Sequence, residues 1–110
     1  MQPQGHVQVL LNMLAFKYNP QAALDAPRMC IGAGMPDVGK VLDPTVYLEE
    51  GISGQVANEL KALGHAVEMV KSYGRGLFGR GQVIRCHTED GRHVYSAGSD
   101  PRGDGAAFPV

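Results

Sequence analysis

The sequence predicts an α+β protein with about three helices and four or five strands. Three observations lead to this prediction. Apolar residues recur with helical spacing near the N-terminus, and a serine-capped helical segment lies in the middle of the chain. Two strand-like segments flank a tight turn near the C-terminus.

The composition sets limits on the class of protein. Ten Lys and Arg residues nearly balance eleven Asp and Glu residues, which argues against a general nucleic-acid or acidic-lipid binder. The longest uninterrupted apolar run, 13–16, is far shorter than the ~20 residues that a membrane-spanning helix needs. We therefore predict one soluble domain of 110 residues with no membrane span and no nucleic-acid partner.

An amphipathic helix is predicted over residues 5–18. Its apolar positions follow the i, i+3, i+4, i+7 spacing and are Val7, Leu10, Leu11 and Leu14. A second helix, 20–26, is predicted to start at the N-cap Asn19 and to stop before Pro27. Two helices in quick succession are expected to form one apolar corner.

The middle of the chain alternates between loop, strand and helix. Glycine and proline break the segment 30–44, which is predicted to be a loop. Residues 45–48 are predicted to form a strand that the Glu-Glu-Gly sequence at 49–51 ends. Ser53 is the predicted N-cap of a third helix that runs to residue 63, where Gly64 terminates it.

The last third of the chain is predicted to be extended. Segments 66–70, 82–87 and 92–97 have the composition of strands. The last two flank Glu-Asp-Gly at 89–91 and are predicted to pair as a hairpin. The tail, 98–110, is expected to be extended or looped.

A glycine motif, G-x-G-x-x-G at 74–79, raises the alternative of a dinucleotide site. The residues after it alternate as a strand instead of forming the helix that binds pyrophosphate, so we interpret it as a turn with Phe78 as its packing anchor. The four histidines do not cluster, and Cys86 and His87 point to opposite faces of a strand. We therefore predict no metal and no cofactor, and we expect Cys30 and Cys86 to be buried thiols.

Aspartate and arginine recur beside proline in two places. These pairs are Asp25 with Arg28 and Asp100 with Arg102. Guanidinium groups on stiff loops suit bidentate pairing with carboxylates, so we predict ion pairs that fix the tail to the body of the protein. The alternative is a role for the arginines in binding a substrate carboxylate.

Several segments, taken in order, carry a resemblance to a known family. They are QPQGHVQ (2–8), NPQAALDAPR (19–28), LEEG (48–51) with LGH (63–65), FGRGQ (78–82) and GSDPRGDGAA (98–107). In this order the chain resembles the C-terminal part of the small subunit of gamma-glutamyltranspeptidase-like proteins, a group that includes acylase-like amidohydrolases. The resemblance covers nearly the whole chain.

The resemblance implies an N-terminal nucleophile hydrolase with an αββα sandwich, of which this chain would supply a part. In that family a precursor cleaves itself to expose a threonine, whose hydroxyl attacks a gamma-glutamyl or related amide. Such chemistry implies a transferase or hydrolase of glutathione metabolism. Backbone N–H groups of a Gly-Gly pair form the oxyanion hole.

The same resemblance places the nucleophile outside this sequence. The family's threonine lies well upstream, and its Gly-Gly pair should immediately precede Met1. Thr45 and Thr88 stand in other contexts. We therefore expect the chain to be a fragment, a split-gene product or a decayed relative that contains no catalytic residue and has no transpeptidase or amidase activity alone.

The resemblance also implies roles for other residues. The first helix should point its N-terminus toward the oxyanion hole, which makes Gln2, Gln4 and His6 candidate groups behind that site. Arg28 and Arg102 match arginines of the family that would organise the fold. The expected partner is the remainder of the gamma-glutamyltranspeptidase-like protein or a second copy of this chain; the alternative function is a noncatalytic module for protein binding or dimerisation.

Overall fold

The computed structural model describes residues 1–32 and 43–110. In chain order, its elements are α1 (Gln2–Leu14), α2 (Pro20–Asp25), β1 (Met29–Ile31), β2 (Val46–Glu49), α3 (Gly54–Ala62), β3 (Val67–Val70), a 3₁₀ helix (Ser72–Phe78), β4 (Gln82–Glu89) and β5 (Arg92–Ser99). The predicted α+β class is confirmed. The described residues contain no helix that is long and apolar enough to cross a bilayer.

Contacts divide the chain into two compact units. The first unit comprises Met1–Gly5 and Pro27–Gly79, and the second comprises His6–Ala26 and Arg80–Val110. Each unit is therefore assembled from segments that are distant in the sequence.

The first unit is built on a three-stranded sheet in the order β1-β2-β3. Strand β1 runs antiparallel to β2, and β3 runs parallel to β2. Because parallel neighbours need a crossover, α3 connects β2 to β3. The buried centre of this unit contains Val46, Leu48 and Ala57, and Leu60 of α3 packs against it.

Helix α3 begins and ends as the sequence predicts. The Ser53 hydroxyl accepts a hydrogen bond from the Val56 N–H at 3.4 Å. Gly64, directly after the C-cap Leu63, has φ +97°, a value that glycine adopts without a steric penalty.

The second unit is built on the β4–β5 hairpin. Glu89 pairs with Arg92 in its register. Asp90 (φ 48°) and Gly91 (φ 74°) form a two-residue turn with two positive φ angles, as the twist of a hairpin favours. Helix α2 lies directly on this hairpin, since a Cβ on Gly98 would be 2.8 Å from the Gln21 nitrogen.

Helix α1 differs from its prediction in two respects. It begins at Gln2 and ends at Leu14, and Lys17 beyond it adopts φ +60° and donates its Nζ to the Leu14 carbonyl at 2.8 Å. The expected apolar corner is also wrong. The predicted apolar positions of α1 are between 50% and 62% exposed, and Met13 is the buried residue of the helix. The six residues of α2 are too few to cover this face.

The predicted loop 30–44 is wrong at its start. Cys30 and Ile31 belong to β1, because they pair with Tyr47 and Val46 of β2. Residues 33–42 of that prediction lie outside the described residues.

Candidate functional site

The first two turns of α1 carry the three residues predicted to lie behind the oxyanion hole. The Gln4 side chain donates its Nε2 to the Ile31 carbonyl at 2.9 Å, and its Oε1 accepts from the Ile31 N–H at 2.8 Å. The side-chain amide of Gln4 therefore donates one hydrogen bond to the edge of β1 and accepts one from it, as the backbone of a neighbouring strand would. Gln2 and His6 are exposed, so the structure gives Gln4 a different environment from these two.

A buried carboxylate organises the first unit. Glu49 is 2% exposed at the end of β2. Its Oε2 accepts from the Arg28 N–H at 2.8 Å, and its Oε1 lies 3.2 Å from Arg75 Nε of the 3₁₀ helix. Because a buried charge requires partners, this carboxylate ties β2 to the segments before β1 and after β3.

The Arg28 side chain holds the end of the 3₁₀ helix. It is 3% exposed, and its Nη1 donates to the carbonyls of Phe78 at 3.2 Å and Gly79 at 3.5 Å. Asp25 belongs to the second unit, where it accepts from Gln21 Nε2 at 2.9 Å. The ion pair between Asp25 and Arg28 stays a prediction.

Asp100 and Arg102 form a buried ion pair in the second unit, with Arg102 Nη1 3.0 Å from Asp100 Oδ1. Asp100 Oδ2 also accepts from the Gly81 N–H at 2.8 Å. Arg102 donates to the carbonyls of Leu24 and Ala26 at 2.8 and 3.0 Å. The pair thus joins the start of β4, the tail and the C-terminal end of α2, whose carbonyls lack partners within the helix.

A second glutamine acts on a strand edge in the way that Gln4 does. Gln21 Nε2 donates to the Ser99 carbonyl at 2.9 Å, and Gln21 Oε1 accepts from the Ser99 N–H at 3.0 Å. Sequence reasoning missed both Gln21 and Glu49 as organising residues. The signal for Glu49 was its position inside a family-like segment; Gln21 lies inside another such segment and also has Asp25 four residues later on α2, a spacing that favours a side-chain hydrogen bond but does not reveal its contact with Ser99.

A small polar cluster lies at the start of β2. Asp43 accepts from the Thr45 N–H at 3.0 Å and from the Tyr47 hydroxyl at 2.7 Å. These hydrogen bonds, those of Thr45 first, hold the pKa of Asp43 below its ordinary value. The bond to the Asp43 carboxylate raises the pKa of Tyr47.

The glycine motif does not form a dinucleotide site. Residues 74–78 lie in the 3₁₀ helix, Gly79 follows with φ +74°, and strand β4 comes next in place of a phosphate-binding α-helix. Phe78 is 1% exposed, which confirms it as a packing anchor.

The two thiols have different environments. Cys30 is buried in β1, as predicted, whereas Cys86 is exposed on β4, so the prediction of a buried thiol is wrong there. Cys86 lies on the face of the hairpin opposite Val83 and Gly98, and Gly98 is the residue that α2 contacts. Among residues 1–32 and 43–110, no three His, Cys, Asp or Glu side chains meet in a group that could hold a metal.

Comparison with known proteins identifies the family. The family model described as gamma-glutamyltranspeptidase matches residues 1–110. The chain belongs to the gamma-glutamyltranspeptidase family. The family predicted from the five sequence segments is therefore confirmed.

Relatives within and around this family are much longer than the chain. It is 32% identical over 116 residues to the glutathione hydrolase-like YwrD proenzyme of Bacillus subtilis, covering 99% of this chain and 19% of that protein. It is similar to the cephalosporin acylase of Bacillus halodurans, with a TM-score of 0.73, 36% identity, and coverage of 98% of this chain and 18% of that one.

A third likeness concerns the fold alone. A mutant of Helicobacter pylori gamma-glutamyltranspeptidase matches with a TM-score of 0.73 at 20% identity, over 92% of this chain and 48% of that one. These solved structures confirm an α+β fold of the N-terminal nucleophile hydrolase type. The chain spans less than half the length of each of these three proteins.

Proposed function

We propose that this chain is the C-terminal portion of a gamma-glutamyltranspeptidase-type small subunit and that it acts as scaffold. The reaction it would support is hydrolysis or transfer of a gamma-glutamyl or related amide by an N-terminal threonine on the remaining portion. The coverage of 48% of the Helicobacter pylori chain and 19% of the Bacillus subtilis proenzyme supports this proposal.

The observation that carries the proposal is the exposed apolar stripe of α1. Its members are Val7, Leu10, Leu11 and Leu14. They follow helical spacing, so they form one continuous face that no described residue buries. Complete burial of an exposed side chain of this kind is worth about 1.5–3 kcal/mol. Because these four are 50–62% exposed, a covering polypeptide would gain roughly half of that value at each position.

The buried ionic groups support the scaffold role. Glu49 binds the Arg28 N–H and the Arg75 side chain within the first unit. Asp100 and Arg102 bind each other and backbone groups within the second unit. A carboxylate or guanidinium that is already satisfied by backbone partners serves to fix elements in place. These contacts favour the structural role of the arginines over substrate binding.

Gln4 would act as a positioning residue in the complete enzyme. The family resemblance puts the oxyanion Gly-Gly pair just before Met1, and the Gln4 clamp holds this end of α1 on β1. In the assembled enzyme we expect Gln4→Ala to lower kcat with little change in KM, because a displaced oxyanion donor weakens transition-state binding. Gln55→Ala, at an exposed glutamine of α3, is the matched control and should leave both constants unchanged.

Assembly with the missing portion tests the proposed function. The chain would be co-expressed with Bacillus subtilis YwrD polypeptide lacking the segment that this chain matches, and complex formation would be measured by size exclusion with light scattering. We expect a complex that the double substitution Leu11→Gln and Leu14→Gln abolishes. Leu63→Gln, which changes a leucine outside the stripe that is 77% exposed, should leave the complex intact.

The alternative function is self-association through the same stripe. Light scattering of the chain alone separates the two possibilities, because a dimer that forms without the YwrD polypeptide and disappears in the double variant would favour the stand-alone module. A wild-type chain that forms no complex with the YwrD polypeptide would contradict the proposed function.

A further inference from the structure

The side chain of Met1 lies between the first turn of α1 and the residue that follows the 3₁₀ helix. A Cβ on Gly79 would be 3.8 Å from Met1 Cγ, and a Cβ on Gly5 would be 3.7 Å from Met1 Cε. The Met1 carbonyl also accepts the Gly5 N–H at 2.9 Å, which is the first hydrogen bond of α1. All three residues belong to the first unit. Gly79 and the start of α1 therefore contact the same side chain.

The backbone of Gly79 adopts a conformation that is almost restricted to glycine. Its φ of 74° and ψ of −177° lie in a region that residues with a Cβ rarely enter. The 3₁₀ helix before it has seven residues, although runs longer than about four are uncommon. Unusual backbone of this kind persists where neighbouring contacts enforce it, and it clusters at functional sites.

Buried side chains enforce the conformation of this turn. Phe78 is 1% exposed, and the buried Arg28 donates its Nη1 to the carbonyls of Phe78 and Gly79. The N–H of Arg28 donates to Glu49, and the Glu49 carboxylate also pairs with Arg75 of the 3₁₀ helix. The turn is thus connected to the end of β2 through buried polar contacts, so its position is set by the sheet of the first unit.

The start of α1 has a second attachment to the same sheet. The Gln4 amide exchanges two hydrogen bonds with Ile31 of β1, and the Met1 side chain lies against Gly79. Two contacts three residues apart restrict the rotation of a helix more than either contact alone. Residues joined to Met1 in a longer polypeptide would share this fixed direction, because the peptide bond that joins them is planar.

We infer that the turn formed by Phe78 and Gly79 is a positioning element for the reaction site of the assembled enzyme. The turn supports the Met1 side chain and thereby fixes the residues that precede Met1 in the longer polypeptide. The inference rests on the proposed function, in which those residues supply the oxyanion donors. A displacement of about 1 Å at a reaction site can lower the rate about a hundredfold. The turn would therefore act on kcat without touching the substrate.

Gly79→Ala tests the inference in the assembly of this chain with the YwrD polypeptide that lacks the matching segment. The Cβ of alanine disfavours this combination of φ and ψ, so the turn should shift and move Met1. We expect kcat per assembled complex, measured with gamma-glutamyl-4-nitroanilide, to fall about tenfold or more with little change in KM. Gly91→Ala is the matched control, because Gly91 has the same φ of 74° and nothing lies within 4 Å of its added Cβ. It should keep the wild-type kcat.

A second pair of variants decides the question if Gly79→Ala fails to fold. Phe78→Leu leaves a smaller side chain under the turn, and Leu48→Val makes a comparable reduction in the buried centre of the same unit. Urea unfolding measures the stability of both variants. We expect Phe78→Leu to lower kcat, whereas Leu48→Val should keep the wild-type kcat whatever its loss of stability.

The outcomes separate this inference from the proposed function. A wild-type assembly without turnover would overturn both. Normal kcat in Gly79→Ala, or in Phe78→Leu where Gly79→Ala does not fold, would overturn the inference and leave the proposed function in place. An equal loss of kcat in the control of either pair would have the same consequence, and so would a raised KM at unchanged kcat in Gly79→Ala.

Discussion

The Arg102 side chain connects three segments of the second unit through one planar group. It pairs with Asp100 and donates to the last carbonyls of α2, and both members of the pair are buried. Lysine carries the same charge but cannot place two nitrogens in one plane, so the geometry requires arginine.

Removal of this guanidinium should destabilise the chain severely. Arg102→Ala breaks the buried ion pair with Asp100 and removes the hydrogen bonds to the Leu24 and Ala26 carbonyls, and we expect a loss of about 3–5 kcal/mol in the free energy of unfolding, measured with urea. Arg102→Lys should recover little of the lost free energy of unfolding, because lysine cannot reproduce the planar arrangement of donors. Arg92→Ala, at an exposed position of β5, should change stability by less than about 0.5 kcal/mol; equal effects of Arg92→Ala and Arg102→Ala would contradict the ion-pair account.

The Asp43 cluster gives a prediction about pH. Because the pKa of Asp43 is lower in the folded chain than in the unfolded one, its contribution to stability is present above the unfolded pKa and is lost as the pH falls through the folded pKa. The raised pKa of Tyr47 contributes stability below its unfolded pKa, which is lost as the pH rises through the folded one.

Tyr47→Phe removes one of the two hydrogen-bonding partners. The pKa of Asp43 should rise toward its ordinary value, and an NMR titration of the Asp43 carboxyl carbon measures this change. Tyr95→Phe, on exposed β5, is the control. An unchanged Asp43 titration in Tyr47→Phe would show that Thr45 alone lowers the pKa.

At the scale of elements, Gly98 decides how closely α2 approaches the hairpin. A Cβ at this position would be 2.8 Å from the Gln21 nitrogen and 2.9 Å from the Pro20 carbonyl carbon. Both are backbone atoms, so they cannot move aside as a flexible side chain could. The close approach also brings Gln21 within reach of Ser99.

Gly98→Ala should therefore separate α2 from the hairpin. We expect a loss of roughly 1–3 kcal/mol, as overpacking typically costs, measured by urea unfolding. Gly54→Ala is the matched control, because nothing lies within 4 Å of its added Cβ and the residue begins α3. It should be neutral or slightly stabilising; similar losses in both variants would mean that the contact at Gly98 is not tight.

The elements that could be predicted from the sequence are those with local signals. Ser53 and Gly64 mark the ends of α3, and Asp90 with Gly91 marks the hairpin turn. Strand β1 could not be predicted from its sequence. Its three residues, Met29–Ile31, stand between a proline and a glycine and form a strand only because they pair with β2. Secondary structure of this kind depends on tertiary context.

The organising contacts were less predictable than the elements. The pair of Asp100 and Arg102 stands out because the residues are two apart beside proline. The contacts of Glu49 join residues that are 21 and 26 positions away, and those of Gln21 join residues 78 apart. No pattern in one sequence encodes such distances.

At the scale of the whole molecule, the exposed stripe of α1 explains why one expectation failed. The helical period correctly predicted an apolar face, but periodicity says nothing about which polypeptide covers that face. In this chain α2 buries Ala23 and Leu24 and leaves the stripe exposed. Much longer relatives provide the polypeptide that we propose as its cover.

The account depends most on the claim that this chain supports a reaction without performing it. The most direct test is release of nitroaniline from gamma-glutamyl-4-nitroanilide by the purified 110-residue chain, alone and after assembly with YwrD polypeptide that lacks the matching segment. We predict no turnover by the chain alone and measurable turnover by the assembly. Turnover by the chain alone would contradict the scaffold account.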